Sequence, residues 1–183
     1  MKKEVRKDFY TKTVKVCGMD RQELEEKIQD LLSTQEHLTF TFTSLSGEID
    51  IQISAKTEKE EDKRSVKEVI RELKIRLGSC IFTTSSKVTL EETIVELLKE
   101  QKMTVTTVES CTGGMLSARL TDVAGASLVF KSGFVTYSNK AKRKFIGVKK
   151  MTLKKHTAVS EQTAYEMARG GAVLTGADTC VSV

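Results

Sequence analysis

Apolar residues recur along the first half of the chain with two different periods. Residues 11–18 ("TKTVKVCG"), 38–44 ("LTFTFTS") and 48–55 ("EIDIQISA") alternate apolar with polar positions and predict strands. Residues 20–33 ("DRQELEEKIQDLLS") and 60–77 ("EEDKRSVKEVIRELKIRL") carry the helical period instead. Leu24, Ile28, Leu31 and Leu32 fall on one face of the first of these helices, and Asp20 is its expected N-cap. "SLSG", residues 44–47, supplies a hairpin turn. This half therefore predicts a small α+β domain, with helices on one face of a three-stranded sheet.

Polarity rises at "TSSKVT", residues 84–89, and the domain boundary is expected there, giving domains 1–87 and 88–183. A helix opens at "TLEETIVELLKEQK", where Thr89 and Glu92 have capping-box spacing. Alternation follows: strand "TVTTVE", a helix from Gly114 to about Leu120, strand "LVFKSGFVTY", helices "KAKRKFIG" and "SEQTAYEMARGGAVL", and strand "TCVSV". Such alternation predicts an α/β sheet with a substantial parallel part. The sequence stops in or just after its last strand, and the second domain is expected to be incomplete at that end.

Composition places the chain among soluble globular proteins: 183 residues, 39% hydrophobic and 30% charged, with no apolar run near the roughly 20 residues of a membrane helix. "MKKEVRKDFY" leads into no hydrophobic segment, so a cytoplasmic location is expected. Cys17, Cys80, Cys111 and Cys180 are widely spaced, with only His37 and His156 as imidazole partners, so no metal site is expected and each thiol reads as free. Proline is absent, leaving the turns to Gly, Asn, Asp and Ser.

Two stretches carry chemistry. In "TVESCTGG", residues 107–114, Ser110 sits where a strand gives way to a turn and a helix, near unpaired backbone N–H groups able to stabilise an oxyanion or a phosphate. The stretch does not match the G-x-S-x-G elbow, and on spacing alone Ser110 reads either as a nucleophile or as a helix cap. In "GFVTYSNKAK" a strand ends at Tyr137, Asn139 is the expected N-cap, and Lys142 follows in the first helical turn. The helix dipole and the charges of Lys140, Arg143 and Lys144 disfavour an ammonium there, so a neutral Lys142 able to act as a base is reasonable. Residues 139–156 hold eight lysines and arginines and no acid, a tract that reads as a solvated face or as a field attracting a phosphate-bearing partner.

"VESCTGGMLSARLTDVAGAS", "FKSGFVTYSNKAKRKFIGV" and "HTAVSEQTAYEMA" together resemble the C-terminal domain of the CinA family, the nicotinamide-nucleotide amidases. The resemblance covers about residues 88–183, and residues 1–87 resemble the KH-like middle domain of long CinA proteins. It implies a three-layer α/β amidase-type domain, here truncated, preceded by a small α+β KH-like domain. It also implies that the N-terminal molybdopterin-binding-like domain of long relatives and the glycine-rich loop beyond "CVSV" are missing. The implied activity is hydrolysis of the carboxamide of nicotinamide mononucleotide to nicotinate mononucleotide and ammonia, without a cofactor. Ser110 would be the nucleophile, Lys142 its base and Tyr137 the hydroxyl that orients or relays the proton. Thr112, Gly113 and Gly114 would surround the oxyanion and substrate, with Ser127 and Asn139 as further substrate-binding candidates. Because the pocket-shaping loop is among the missing parts, weak or absent activity is expected; a homo-oligomer is compatible with the resemblance.

Two competing readings come from the residues. Cys111 is a rival nucleophile, since a thiol at a helix N-terminus is acidified, although one position along the turn it should point away from Ser110. A non-catalytic interaction or nucleic-acid-binding role is the other. The first half holds 17 basic against 16 acidic residues and lacks a G-x-x-G clamp, so nucleic acid is not the expected partner.

Overall fold

The computed structural model describes residues 9–45, 47–56 and 59–183. The opening charged stretch up to residue 8, and Ser46 in the "SLSG" turn, lie outside the described residues. The chain divides into two units between Val88 and Thr89.

In the first unit β1 (Tyr10–Cys17), β2 (Leu38–Leu45), β3 (Glu48–Ala55) and β4 (Ile81–Thr83) form an antiparallel sheet in the order β2-β3-β1-β4. The helices α1 (Arg21–Ser33) and α2 (Glu60–Leu77) share one buried cluster with it. Leu24 and Ile28 meet Val66, Val69, Leu73 and Leu77 over Val14, Val16, Ile49, Ile51 and Ile53. These are the period-two and period-3.6 positions of the sequence, so burial of one face fixed the register. Asp20 caps α1 through the Glu23 amide. Among the described residues the sheet has four strands, one more than expected. The additional β4 has only three residues, too short to show alternation, and it forms because the edge of β1 accepts it.

In the second unit α3 (Leu90–Gln101) opens with the expected capping box between Thr89 and Glu92. A parallel sheet of order β6-β5-β7 follows, built from β5 (Val105–Glu109), β6 (Phe130–Val135) and β7 (Thr179–Ser182). The central strand β5 is buried along its whole length. On one face Val105 packs with Val95 of α3 and Leu120 of α4 (Met115–Thr121). On the other, Val108 packs with Ile146 of α5 (Asn139–Ile146) and Met167 of α7 (Glu161–Thr175). The result is three layers, helix on sheet on helix. A further helix, α6 (Lys150–His156), lies within the basic tract; its lysine-rich sequence hid the period, and Glu166 of α7 holds its start by accepting from Lys149 N and Thr152 Oγ1.

Two glycines of α7 set the spacing on this second face. A methyl group on Gly171 would stand 2.5 Å from Val108 and 2.8 Å from the Cys180 sulfur, and one on Gly170 would strike the backbone carbonyl of Ile146. The close approach brings α5 against α7, and α5 carries Lys142.

Candidate active site

The site is assembled at the carboxyl ends of β5 and β6, where open α/β sheets place their ligands. Ser110 directly follows β5, and its amide donates to the Val183 carbonyl at 2.7 Å, which continues the sheet ladder by one residue. Its own carbonyl accepts from Gly113 N at 3.2 Å, closing a tight turn. Gly113 and Gly114 then adopt φ of +59° and +101°, values that a side chain would resist. The paired glycines thus turn the chain sharply enough for α4 to begin five residues after Ser110.

Lys142 comes to this turn from α5. Ser138 is the N-cap of that helix, its hydroxyl accepting from Ala141 N at 3.0 Å. Asn139, expected as the cap, is instead the first helical residue and is exposed, because the extended backbone that a cap requires occurs one position earlier. Lys142 and Ile146, one turn apart, form the buried face of α5. At 1% exposure Lys142 is the largest fully buried side chain among the described residues. Its Nζ donates to Ser110 Oγ at 2.7 Å, to the Thr136 carbonyl at 2.8 Å and to the Tyr137 carbonyl at 3.4 Å. No carboxylate pairs with it among the described residues. Burial pushes the ammonium below the ordinary lysine range, and the Cys111 sulfur acts weakly in the opposite sense. The leading cause is therefore desolvation rather than the like-charge repulsion expected from the sequence; the neighbouring cations Lys140, Arg143 and Lys144 all face solvent.

The other candidates divide. Tyr137 lies at the site through its carbonyl, but its side chain is 77% exposed and its hydroxyl makes no hydrogen bond among the described residues. It is not placed to relay a proton between Ser110 and Lys142. Ser127 is at the opposite end of the sheet, just before β6, and is exposed. Parallel pairing of β5 with β6 puts the residues before β6 a full strand length from Ser110, so Ser127 does not join this site within the chain. Cys111 is exposed and receives no hydrogen bond from Lys142.

The turn also corrects the expected anion site. Gly113 N is committed to Ser110 O, and Gly114 N donates to Glu109 Oε2 at 3.0 Å. Leu116 N donates to the same oxygen at 3.0 Å, and Ser117 N and Oγ donate to Glu109 Oε1 at 2.9 and 2.6 Å. The first donors of α4 thus already hold an anion, the carboxylate of Glu109. Among the described residues the amides of Cys111 and Thr112 alone in this turn meet no protein acceptor.

Glu109 is the residue that sequence reasoning missed. It has no exposed surface, and burial opposes its ionisation. The Ser117 hydroxyl and amide, the nearby Thr112 hydroxyl and the Leu116 amide outweigh that penalty and hold the carboxyl at about 2. The available signal was a lone acid closing an otherwise uncharged strand, directly before a serine and a pair of glycines.

No cluster of three or more metal-ligating side chains occurs among the described residues. No described helix is long and apolar enough to cross a membrane.

Comparison with known proteins gives the family. Residues 87–183 match the family described as the CinA C-terminal domain, and residues 11–83 match the damage-inducible protein CinA KH domain. The chain is 40% identical over 175 residues to a putative competence-damage inducible protein of Clostridium novyi, covering 95% of this chain and 42% of that protein. It is 37% identical to another of the same description from Caldicellulosiruptor bescii, covering 100% of this chain and 44% of that protein. The chain thus spans less than half the length of these relatives. Among solved structures, the competence/damage inducible protein CihA of Agrobacterium tumefaciens matches with a TM-score of 0.50 and 43% identity, over 51% of this chain and 56% of that one. A CinA superfamily protein of Escherichia coli matches with a TM-score of 0.50 and 32% identity, over 55% of this chain and 60% of that one. With a CinA C-terminal domain over more than half its length and a CinA KH domain before it, the chain belongs to the CinA family.

Proposed function

We propose that the second unit is an amidase that hydrolyses the carboxamide of nicotinamide mononucleotide through a serine nucleophile and a lysine base. One observation carries the reading: a buried lysine amine with no carboxylate partner among the described residues, 2.7 Å from a serine hydroxyl. Burial favours the neutral amine, and a neutral amine has two N–H groups and one lone pair. The carbonyls of Thr136 and Tyr137 accept two of the N–H groups, so when the third proton, the one donated to Ser110 Oγ, is lost, the lone pair of the neutral amine is turned to that hydroxyl.

The reaction then balances through these two side chains. The Ser110 hydroxyl proton passes to Lys142 Nζ as Oγ bonds to the amide carbon, and negative charge develops on the former carbonyl oxygen. Collapse of that intermediate breaks the C–N bond, and Lys142 returns the proton to the leaving nitrogen, releasing ammonia and an acyl-serine. Water attacks the acyl carbon and gives a proton to Lys142, the Oγ–C bond breaks, and the serine recovers its proton as the carboxylic acid leaves. Tyr137, whose side chain is exposed, is available to an incoming substrate rather than to the proton path. The exposed cations Lys140, Arg143, Lys144, Lys149, Lys150, Lys154 and Lys155 supply a field that favours approach of a phosphate-bearing molecule.

The test is formation of ammonia and nicotinate mononucleotide from nicotinamide mononucleotide. Any turnover by the wild-type chain is expected to be lost in Ser110→Ala. Turnover that survives Ser110→Ala would overturn the reading.

A further inference from the structure

We propose that Glu109 is the positioning residue of this site, holding the Ser110 turn and the Lys142 support in one fixed geometry. The proposal rests on the reading of Ser110 as nucleophile.

Both parts of Glu109 act. Its carboxylate accepts from Gly114 N, Leu116 N, Ser117 N and Ser117 Oγ, which fastens the start of α4 beneath the turn. The Ser117 hydroxyl donates to Glu109, so its 2.7 Å contact with Thr107 Oγ1 must be one in which Thr107 donates. The chain Thr107 to Ser117 to Glu109 therefore ties the turn back into β5. The Glu109 carbonyl meanwhile accepts from Thr136 N at 2.8 Å, and the Thr136 carbonyl accepts from Lys142 Nζ. A single residue is thus bonded on one side to the loop that carries the nucleophile and on the other to the segment that holds the base. The Cys111 and Thr112 amides next to Ser110 stay uncommitted and are available to an oxyanion.

A carboxamide cannot do the same. In Glu109→Gln one of the two oxygens becomes an NH2 group facing at least one backbone N–H that cannot turn away. Substrate-independent phosphonylation of Ser110 separates this effect from substrate binding. A fluorophosphonate forms a bond from Ser110 Oγ to phosphorus, expels fluoride from the P–F bond, and leaves the serine proton on Lys142. With the 183-residue chain, the second-order labelling rate and the final labelled fraction are measured across pH by mass spectrometry.

Glu109→Gln is expected to label at Ser110 to the same final fraction as wild type, but roughly tenfold to a hundredfold more slowly, with an unchanged pH midpoint. A wild-type rate, or a lower labelled fraction with an unchanged rate, would overturn the proposal, since the second result is what a merely structural role gives. Should Glu109→Gln fail to fold by circular dichroism, Ser117→Ala removes one bond while retaining the backbone donors. It is expected to slow labelling by roughly three- to tenfold, as befits one lost hydrogen bond; no slowing there overturns the proposal as well. If the wild-type chain is not labelled at Ser110, the nucleophile assignment itself fails, and the positioning role falls with it.

Discussion

Lys142 Nζ stands 2.7 Å from Ser110 Oγ although 32 positions separate the two residues in the chain. One residue is on a turn after the central strand and the other on the buried face of a helix, and packing of α5 against α7 brings them together.

Replacement of Lys142 by Met tests the base directly. The apolar stem is retained and the buried amine is lost, so ammonia release is expected to fall by about 10²–10⁴-fold, the usual contribution of a positioned base. Thermal unfolding should show a fold at least as stable as wild type, because no buried polar nitrogen remains to be desolvated.

Burial lowers the proton affinity of Lys142 in the folded chain, so its charge state changes below the roughly 10.4 of a free lysine. The rate of Ser110 acylation should rise with pH through that lowered midpoint and level off above it. Stability follows the same sign. Between the folded and unfolded values the unfolded chain binds more protons, so unfolding free energy should increase with pH across that window. A rate that rises only through the roughly 10.4 of a free lysine would show that Lys142 is not a neutral base in the fold.

Glu109 has the opposite linkage. Its carboxyl is held at about 2 in the fold, against about 4.3 in an unfolded chain. The stability it contributes is fully present above the unfolded value and is lost as pH falls through about 2. Denaturant titrations of wild type and Glu109→Gln should therefore differ most at neutral pH and converge in acid.

Tyr137→Phe distinguishes a substrate contact from a proton relay. The hydroxyl is solvent-exposed and unpartnered, so its loss is expected to lower kcat/KM by about tenfold or less, the value of one hydrogen bond, and to leave the pH midpoint in place. A shifted midpoint would put the hydroxyl back on the proton path.

Gly170→Ala tests the packing that delivers the base. The new methyl group meets the Ile146 carbonyl and forces α5 away from α7, one turn from Lys142. Stability should fall by about 1–3 kcal/mol, as for other overpacked sites, and labelling of Ser110 should slow by roughly 10²-fold, the cost of a displacement near 1 Å.

The sequence by itself determined the elements and their faces. Period-two strands, the amphipathic α1 and α2, the Asp20 cap and the Thr89–Glu92 capping box are local matters, decided by side-chain spacing and by hydrogen bonds within a few residues. Ser110 was legible as a candidate because it stands where a strand turns into a helix, and Lys142 because a lysine early in a helix is an unusual choice. Tertiary structure decided the rest. The three-residue β4 and the lysine-rich α6 have no periodic signal, and they exist because neighbouring elements accept them. Ser127 and Ser110 both precede or follow strands and look alike in sequence, yet parallel pairing sends them to opposite ends of the sheet. Burial of Lys142, which is what lowers its proton affinity, results from helix α5 packing near β5 and α7, contacts made across long sequence separations. Glu109 shows the division most clearly: a carboxylate at the end of a strand is only a charge in the sequence, and the fold, by converging three backbone amides and a hydroxyl on it, makes it an anchor.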